Sequence, residues 1–373
     1  MDRIVKKFGG TSLRTEERIR LAVEKVVGDL ERGRSVIVVV SAMGKDGDPY
    51  ATDTLIGLME DVSSEIDPLK QDLMMSCGEV ISASLFSHYL DDAGYDSVPM
   101  TGYQAGIFTD DEFGDANILE VDSAGLEKYL NQGRPVVLAG FQGRTIKGEV
   151  TTLGRGGSDT TALRVGGAVD ADLVEMYTDV PGVAVADPGL VEDPPFFSNI
   201  SRDALRKLVV NGSNVVHPQA VSSAQNYDVP ISVRSYKDER RETIIDGKTS
   251  SDRTPLGIAV MEGCGLVEEP SLDPENTSKA EVVSVNIKGN GSKPSILLKE
   301  VGGELGDYDP EQVSLVTAVP TIPGRTNELV NKTVDAIDKE KYVGVKTGSD
   351  GVQFVVEPGE EAEVVREIYR VFY

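Results

Sequence analysis

The chain has 373 residues, enough for two or three domains, and with 39% hydrophobic residues it can bury a sizeable core. Its 62 acidic against 37 basic side chains leave a net charge of −25, which repels nucleic acid, and 2 histidines and 2 cysteines without paired spacing nearly exclude a histidine-rich or zinc site. No apolar run approaches about 18 residues and MDRIVKKFGG holds no stretch long enough for a signal peptide, so a cytoplasmic protein with no membrane partner is expected. Cys77 and Cys264 are then reduced, buried thiols rather than a disulfide. The acidic surface suits a salty cytoplasm and an ordinary acidic soluble protein equally.

In chain order, RIVKKFG (3–9) predicts a first strand. Thr15 with Glu16 and Glu17 predicts a helix cap and an acidic first turn. Ile19, Ala22, Val23, Val26, Val27 and Leu30 then recur with helical spacing, and Gly33 closes the helix. SVIVVVSAM (35–43) is a β-branched run suited to a strand buried on both faces of a parallel sheet. A helix starting near Thr52, a long one over 72–94, a short strand and turn over 96–106 and a helix over 123–133 follow. Strand-then-turn patterns occupy 134–143 and 172–182, a helix 201–212 and a late strand 229–235. This alternation predicts an α/β domain over 1–245 with a mostly parallel sheet sandwiched by helices. Residues 246–255 are polar and aperiodic and predict a linker. Over 256–373 the order strand, helix, strand, strand, helix in 313–373 is most of a ferredoxin-like α+β unit, preceded by a less regular set of strands.

Ligands of open parallel sheets bind beyond the carboxyl ends of the strands. Four loops there are unusual. In KFGGTS (7–12), Gly9 and Gly10 allow close backbone approach, Thr11 and Ser12 add hydroxyls and Lys7 adds a charge. Phosphate binding and a tight turn with a surface lysine both fit that loop alone. SAMG (41–44) and GFQG (140–143), with Phe141 between glycines, are weak signals by themselves. TTLGRGGSDTTA (151–162) is the strongest: Gly154, Gly156 and Gly157 free the backbone, Ser158 suits an N-cap, and Asp159 opens a helix. Arg155 in that loop suits a carboxylate, and Asp159 suits Mg²⁺ or a lysine.

KFGGTS, SAMG, SCGE, TGYQAG, GFQG, TTLGRGGSDTTA, YTDVPGV and VVHPQAV occur in the order and spacing of the aspartate kinases, and over 3–245 the chain closely resembles that family of the amino acid kinase superfamily. The tail looks like its ACT regulatory region, with one clear unit at about 313–373 and a degenerate one before it. The resemblance implies the amino acid kinase fold and transfer of the ATP γ-phosphate to L-aspartate, the first step toward lysine, threonine and methionine. Mg-ATP is the implied cofactor, with the metal held mainly by ATP phosphates and no protein metal site. It implies that Lys7 and the Gly9–Gly10 turn contact the phosphates beside Ser41, and that Thr178 and Asp179 flank the nucleotide. By the same resemblance Thr52, Glu79, Phe141, Arg155 and Ser158 are expected to line the amino acid site, with Arg155 on a carboxylate and Glu79 on the ammonium. The resemblance also implies that Asp159 organises Lys7 and the metal-bound phosphates. An amino-acid effector at the ACT-like region and a homodimer or higher homo-oligomer are implied as well.

Three positions depart from that family: Ala184 stands where a tyrosine is usual, Gly189 where an arginine is, and Asn214 where a lysine is. Loss of two cations beside a polyphosphate should weaken ATP binding by a few kcal/mol, unless Arg206 or Lys207 replaces them. These departures keep two alternatives open: a kinase-fold homologue with another nucleotide or carboxylate substrate, and a non-catalytic regulatory homologue.

Overall fold

The computed structural model describes residues 2–213, 229–237, 241–246, 255–268, 281–287, 294–299, 311–322, 324–348 and 350–373. Its contacts divide the chain into two units: Met1–Val183 with Val216–Gly247, and Ala184–Val215 with Lys248–Tyr373. Most of the predicted linker, and Asn214, lie outside the described residues.

The first unit alternates strands and helices as its sequence predicts. In order come β1 (Arg3–Phe8), α1 (Glu16–Glu31), β2 (Ser35–Val40), α2 (Thr52–Glu60) and α3 (Pro68–Asp92). Then follow β3 (Val98–Met100), β4 (Ile107–Thr109), β5 (Ile118–Val121), α4 (Ala124–Leu130) and β6 (Val136–Ala139). After β7 (Gln142–Arg144) and β8 (Val150–Thr152) come α5 (Gly157–Ala168) and β9 (Leu173–Thr178). The main sheet runs β12-β11-β9-β1-β2-β6-β3, where β11 is Ile231–Ser235 and β12 is Glu242–Asp246. Only the β11–β12 pair in that series is antiparallel.

β1 is central and alternates its side chains between the two faces. Phe8, with Val36, Val38 and Val40 of β2, packs against α1 and α3 in the main apolar cluster. Phe8 stacks between Phe86 and Tyr177. On the opposite face Val5 meets α5, where Gly166 lies too close to Val174 to carry a side chain. Thr15 caps α1 by accepting from the Arg18 N–H at 3.4 Å. A second sheet, β5-β4-β7-β8, is invisible to the sequence reading because its strands are only 3–4 residues long.

The second unit begins with β10 (Asn199–Ser201) and α6 (Arg202–Val210), capped by Ser201. β13 (Leu256–Glu268), β14 (Glu281–Ile287), β15 (Pro294–Lys299) and β16 (Glu311–Pro320) precede α7 (Thr326–Ala336). β17 (Gly344–Gly348), β18 (Gly351–Val356) and α8 (Glu361–Phe372) complete the order predicted for 313–373. β18 lies antiparallel between β16 and β17, as in a ferredoxin-like unit, but the strand on the far side of β16 is the upstream β13. β15 and β14 then link β13 back to β17, so the sheet closes into a six-stranded barrel. Closure leaves no free edge. Cys264 is buried there among Leu266, Val313, Leu315 and Val355, whereas Cys77 is exposed on α3, contrary to the expectation that both thiols are buried. Cys77 falls on the outward face of a helix whose inward positions carry the site residues.

Candidate active site

The neighbouring strands β1 and β2 end side by side, and their exit loops are stitched together. The Ser41 N–H donates to the Phe8 carbonyl and the Gly44 N–H to the Gly10 carbonyl, both at 3.1 Å. A side chain at Gly10 would collide with the Ala42 carbonyl and come within 2.8 Å of that of Gly44, so the two loops approach this closely only with glycine there. A short 3-10 helix, Gly10–Leu13, follows, and the hydroxyl of Ser12 is buried in it without a partner among the described residues. On the other side of β1, the Thr178 hydroxyl at the end of β9 donates to Asp179 at 3.1 Å, and the backbone of Tyr177 lies beside Gly9.

Lys6 and Lys7 point to opposite faces of β1, and their surroundings differ in kind. Lys7 Nζ meets Asp159 Oδ1 at 2.6 Å, and both side chains keep some solvent access. Lys6 is enclosed: it pairs with Asp29 at 2.6 Å and with Glu175, while the Tyr177 hydroxyl lies at 3.5 Å. Asp29 also takes Arg34 at 2.7 Å and Arg32 at 3.0 Å, and Glu175 takes Arg234 at 3.1 Å. Burial works against the charge of Lys6, but Tyr177, Glu175 and Asp29 raise its pKa above the ordinary lysine value. Burial likewise opposes the charge of Asp29, yet Lys6 and the two arginines hold its pKa below the ordinary value.

The glycine-rich stretch is a strand exit followed by a helix start. β8 ends at Thr152, and the backbone then passes through Gly154 at φ 67 and Gly156 at φ 73 before entering α5. The N-cap is therefore Gly156, not Ser158 as expected; two left-handed glycines turn the chain into the helix two residues earlier. Ser158 is instead buried within the first turn, with its side chain against Gly140 at the β6 exit. Phe141, in the same exit, holds φ 67, a strained conformation for a side-chain-bearing residue. It is fixed on both sides: its N–H donates to Thr161 Oγ1 at 3.1 Å and its carbonyl accepts from the Leu153 N–H at 2.9 Å. Asp159 lies in the first turn of α5, where its charge suits the helix terminus and reaches Lys7.

α3 contributes buried carboxylates. Glu79 is 3% exposed; one oxygen accepts the Ala42 N–H at 2.9 Å and the other, Oε2, has no partner among the described residues. Burial raises its pKa to about 8, only partly opposed by the Ala42 N–H. A carboxyl held in this way is an open seat for a cation with donors. Two turns earlier Asp72 is also buried, and it accepts from Thr152 and Gly114. Sequence reading misses Asp72; the available signal is its seven-residue spacing from Glu79, which puts both on one helix face.

Lys7, Gly9, Gly10, Ser41, Glu79, Ser158 and Asp159 are thus tied to one end of the sheet by the contacts above. Thr52 begins α2, which packs on α3, but among the described residues no side-chain hydrogen bond ties it to the others. Arg155 is exposed at the tip of the glycine loop, and no side-chain partner holds it among the described residues. In the second unit, Ala184 bridges Phe196, and the Gly189 N–H donates to Asp187 at 2.7 Å. Lys207 meets Asp203 at 2.8 Å and Asp350 at 3.4 Å, and Arg206 meets Asp203 at 3.3 Å.

This arrangement offers glycine-lined backbone and one lysine to an anion, and a buried carboxyl to a cation. His88, the histidine among the described residues, is exposed on α3 and makes none of these contacts. Among the described residues no group of three or more His, Cys, Asp or Glu side chains forms a metal cage, and no helix is long and apolar enough to cross a membrane.

The sequence profile of the amino acid kinase family matches residues 2–235. Aspartokinase 1 of Bacillus subtilis is 34% identical over 402 aligned positions, covering 99% of this chain and 98% of that one. Aspartokinase 2 of the same organism is 42% identical over 69% of this chain; the match spans 63% of that relative. Among solved structures, aspartokinase III of E. coli in complex with aspartate and ADP aligns over 99% of both chains, with a TM-score of 0.77 at 20% identity. The aspartate kinase of Clostridium acetobutylicum aligns over 99% of this chain and 100% of that one, with a TM-score of 0.76 at 22% identity. At these identities the two structures speak for the fold.

Proposed function

Since this chain belongs to the amino acid kinase family and, within it, to the aspartokinases, we propose that it transfers the γ-phosphoryl group of ATP to the side-chain carboxylate of L-aspartate, giving 4-phospho-L-aspartate and ADP. The observation that carries this reading is the Lys7–Asp159 pair at 2.6 Å, joining the end of the central strand to the first turn of α5. Phosphoryl transfer depends on positioning and charge neutralisation more than on covalent help. Lys7 and the amides of Gly9 and Gly10 take the transferring phosphates beside Ser41, and Asp159 holds Lys7 in place. Thr178 and Asp179 flank the nucleotide. Arg155, free to swing, takes a substrate carboxylate bidentately, and Glu79 takes the ammonium with its unpartnered oxygen. Phe141, Ser158 and Thr52 complete the amino acid pocket. The nucleophile is already ionised at neutral pH, so no general base is required.

Mg²⁺ fits this donor set only as a phosphate-bound ion: Asp159 is engaged by Lys7, and magnesium characteristically keeps water and substrate oxygens. It supplies charge neutralisation on the phosphates. In this reading residues 1–245 are the catalytic domain, 246–255 a linker and 256–373 an ACT-like regulatory region that takes an amino-acid effector. The enzyme works as a cytoplasmic homodimer or higher oligomer.

The test is ADP release from Mg-ATP with and without L-aspartate, with hydroxylamine trapping the acyl phosphate. Turnover that depends on aspartate and exceeds a Lys7→Ala control is expected. None above that control, across several nucleotides and in high salt, overturns the reading. The nucleotide panel is included because Gly189 stands where the family carries arginine, which favours altered nucleotide use as the second reading.

A further inference from the structure

Asp72 and Glu79 share the buried face of α3, two helical turns apart. Glu79 has an oxygen to spare, but Asp72 does not. Its carboxylate accepts the Thr152 N–H at 2.7 Å, the Thr152 hydroxyl at 2.8 Å and the Gly114 N–H at 3.0 Å, and the group is 1% exposed. The Thr152 carbonyl in turn accepts the Ala116 N–H at 2.9 Å, so this residue is held at every polar atom. Thr152 is the last residue of β8, three before Arg155. Gly114 precedes Asp115, whose carboxylate lies against Gly154 so closely that a side chain there would collide with it. A single carboxylate therefore ties α3 to both segments that shape the glycine loop. Burying a carboxylate with no cationic partner is costly, and three donors only offset that cost. What the arrangement gains is a fixed relation between the helix that carries Glu79 and the loop that carries Arg155.

The structure assigns Asp72 as a positioning residue that sets the separation between those two groups, and with it the preference for a four-carbon over a five-carbon amino diacid. The inference rests on the reading of Glu79 and Arg155 as the substrate's ammonium and carboxylate partners.

Asp72→Asn keeps the shape of the side chain but turns an NH₂ group toward the donors. Its KM for L-aspartate should rise about tenfold while the KM for Mg-ATP stays within about twofold. The ratio of kcat/KM for L-aspartate over L-glutamate should fall about tenfold. If that variant does not fold, Thr152→Val removes the hydroxyl bond alone and should move the same two quantities by about threefold. A folded variant with unchanged selectivity, or with both KM values moving together, overturns the inference. Hydrogen exchange read without any substrate separates this from a failure of the underlying reading. In Asp72→Asn the amides of Thr152 and Gly114 should exchange about tenfold faster, and unchanged exchange overturns the anchoring itself. Faster exchange in a protein whose wild type phosphorylates no aspartate overturns the proposed function and the selectivity that rests on it, while the anchoring stands.

Discussion

Lys6 and Lys7 are consecutive residues of the same strand, yet they sit in opposite kinds of surroundings. On the Lys6 side, Asp29, Glu175, Arg32, Arg34 and Arg234 close a network in which each carboxylate meets more than one cation. Lys7 meets one aspartate with solvent at hand, and near this end of the sheet Ser12 Oγ of the 3-10 helix, Glu79 Oε2 of α3 and Thr160 Oγ1 of α5 are buried without a partner among the described residues. Folded chains rarely leave buried polar groups unmade, and beside glycine-lined strand exits such atoms are available to a ligand. A saturated charge network serves the fold, whereas an unsaturated one serves a ligand. Strand alternation alone sends the two lysines, one residue apart, into these different surroundings.

The comparison is broken most forcefully on the structural side. Lys6→Met leaves Asp29 and Glu175 buried without their shared cation, and should lower stability by about 3–5 kcal/mol. Urea unfolding measures that loss, and activity per folded molecule at low temperature should stay close to wild type. A variant as stable as wild type would mean that the network is dispensable. The converse substitution, Lys7→Ala, should leave the urea midpoint nearly unchanged and lower kcat by about 10³-fold, or about 4 kcal/mol of transition-state stabilisation. If Lys7→Ala unfolds the chain instead, the division between the two faces fails. Arg155→Ala comes next: an exposed guanidinium with no side-chain partner among the described residues adds little to the fold. Its removal should raise the KM for L-aspartate by about 30-fold with no change in melting temperature. A KM unchanged in that variant would remove Arg155 from the site.

Much of this division is legible in the amino-acid sequence. The βα alternation predicts the parallel sheet because a strand buried on both faces reads as an uninterrupted β-branched run, as SVIVVV does. The glycine loops mark the site because nothing structural asks for an arginine among three glycines. What stays hidden is hidden for physical reasons. Strands β4, β5, β7 and β8 are too short to show a period. Ser158 reads as a cap because serine usually is one, but the left-handed turns at Gly154 and Gly156 start the helix earlier. The barrel of the second unit depends on β13 pairing with β16, a tertiary choice that local pattern does not encode. Asp72 carries one sequence signal, its seven-residue spacing from Glu79, too weak to single it out in a very acidic chain; its burial beneath Thr152 and Gly114 does so.

The finest test of the unsaturated side is the pH dependence of Glu79, where activity and stability should move in opposite directions. Its pKa in the folded, ligand-free chain is raised to about 8 by burial, against an ordinary value of 4.5. The carboxylate form is the one that accepts an ammonium. Since kcat/KM reports ionisations of the free enzyme, its value for L-aspartate should rise about fivefold between pH 7 and pH 8 and level off above about pH 9. In the substrate complex the ammonium holds Glu79 ionised, so kcat should be nearly flat over that interval. The stability contribution has the other sign. The folded chain binds a proton that the unfolded chain has already released, so the contribution is fully present below about pH 4.5 and is lost as pH rises through about 8. The loss attached to this one group is on the order of 5 kcal/mol. Glu79→Gln carries no such proton: the difference in urea midpoint between it and wild type should grow in favour of the variant from pH 5 to pH 8. A wild-type kcat/KM without the rise, or a midpoint difference that does not change with pH, would make Glu79 an ordinary buried acid and return it to the structural side of the comparison.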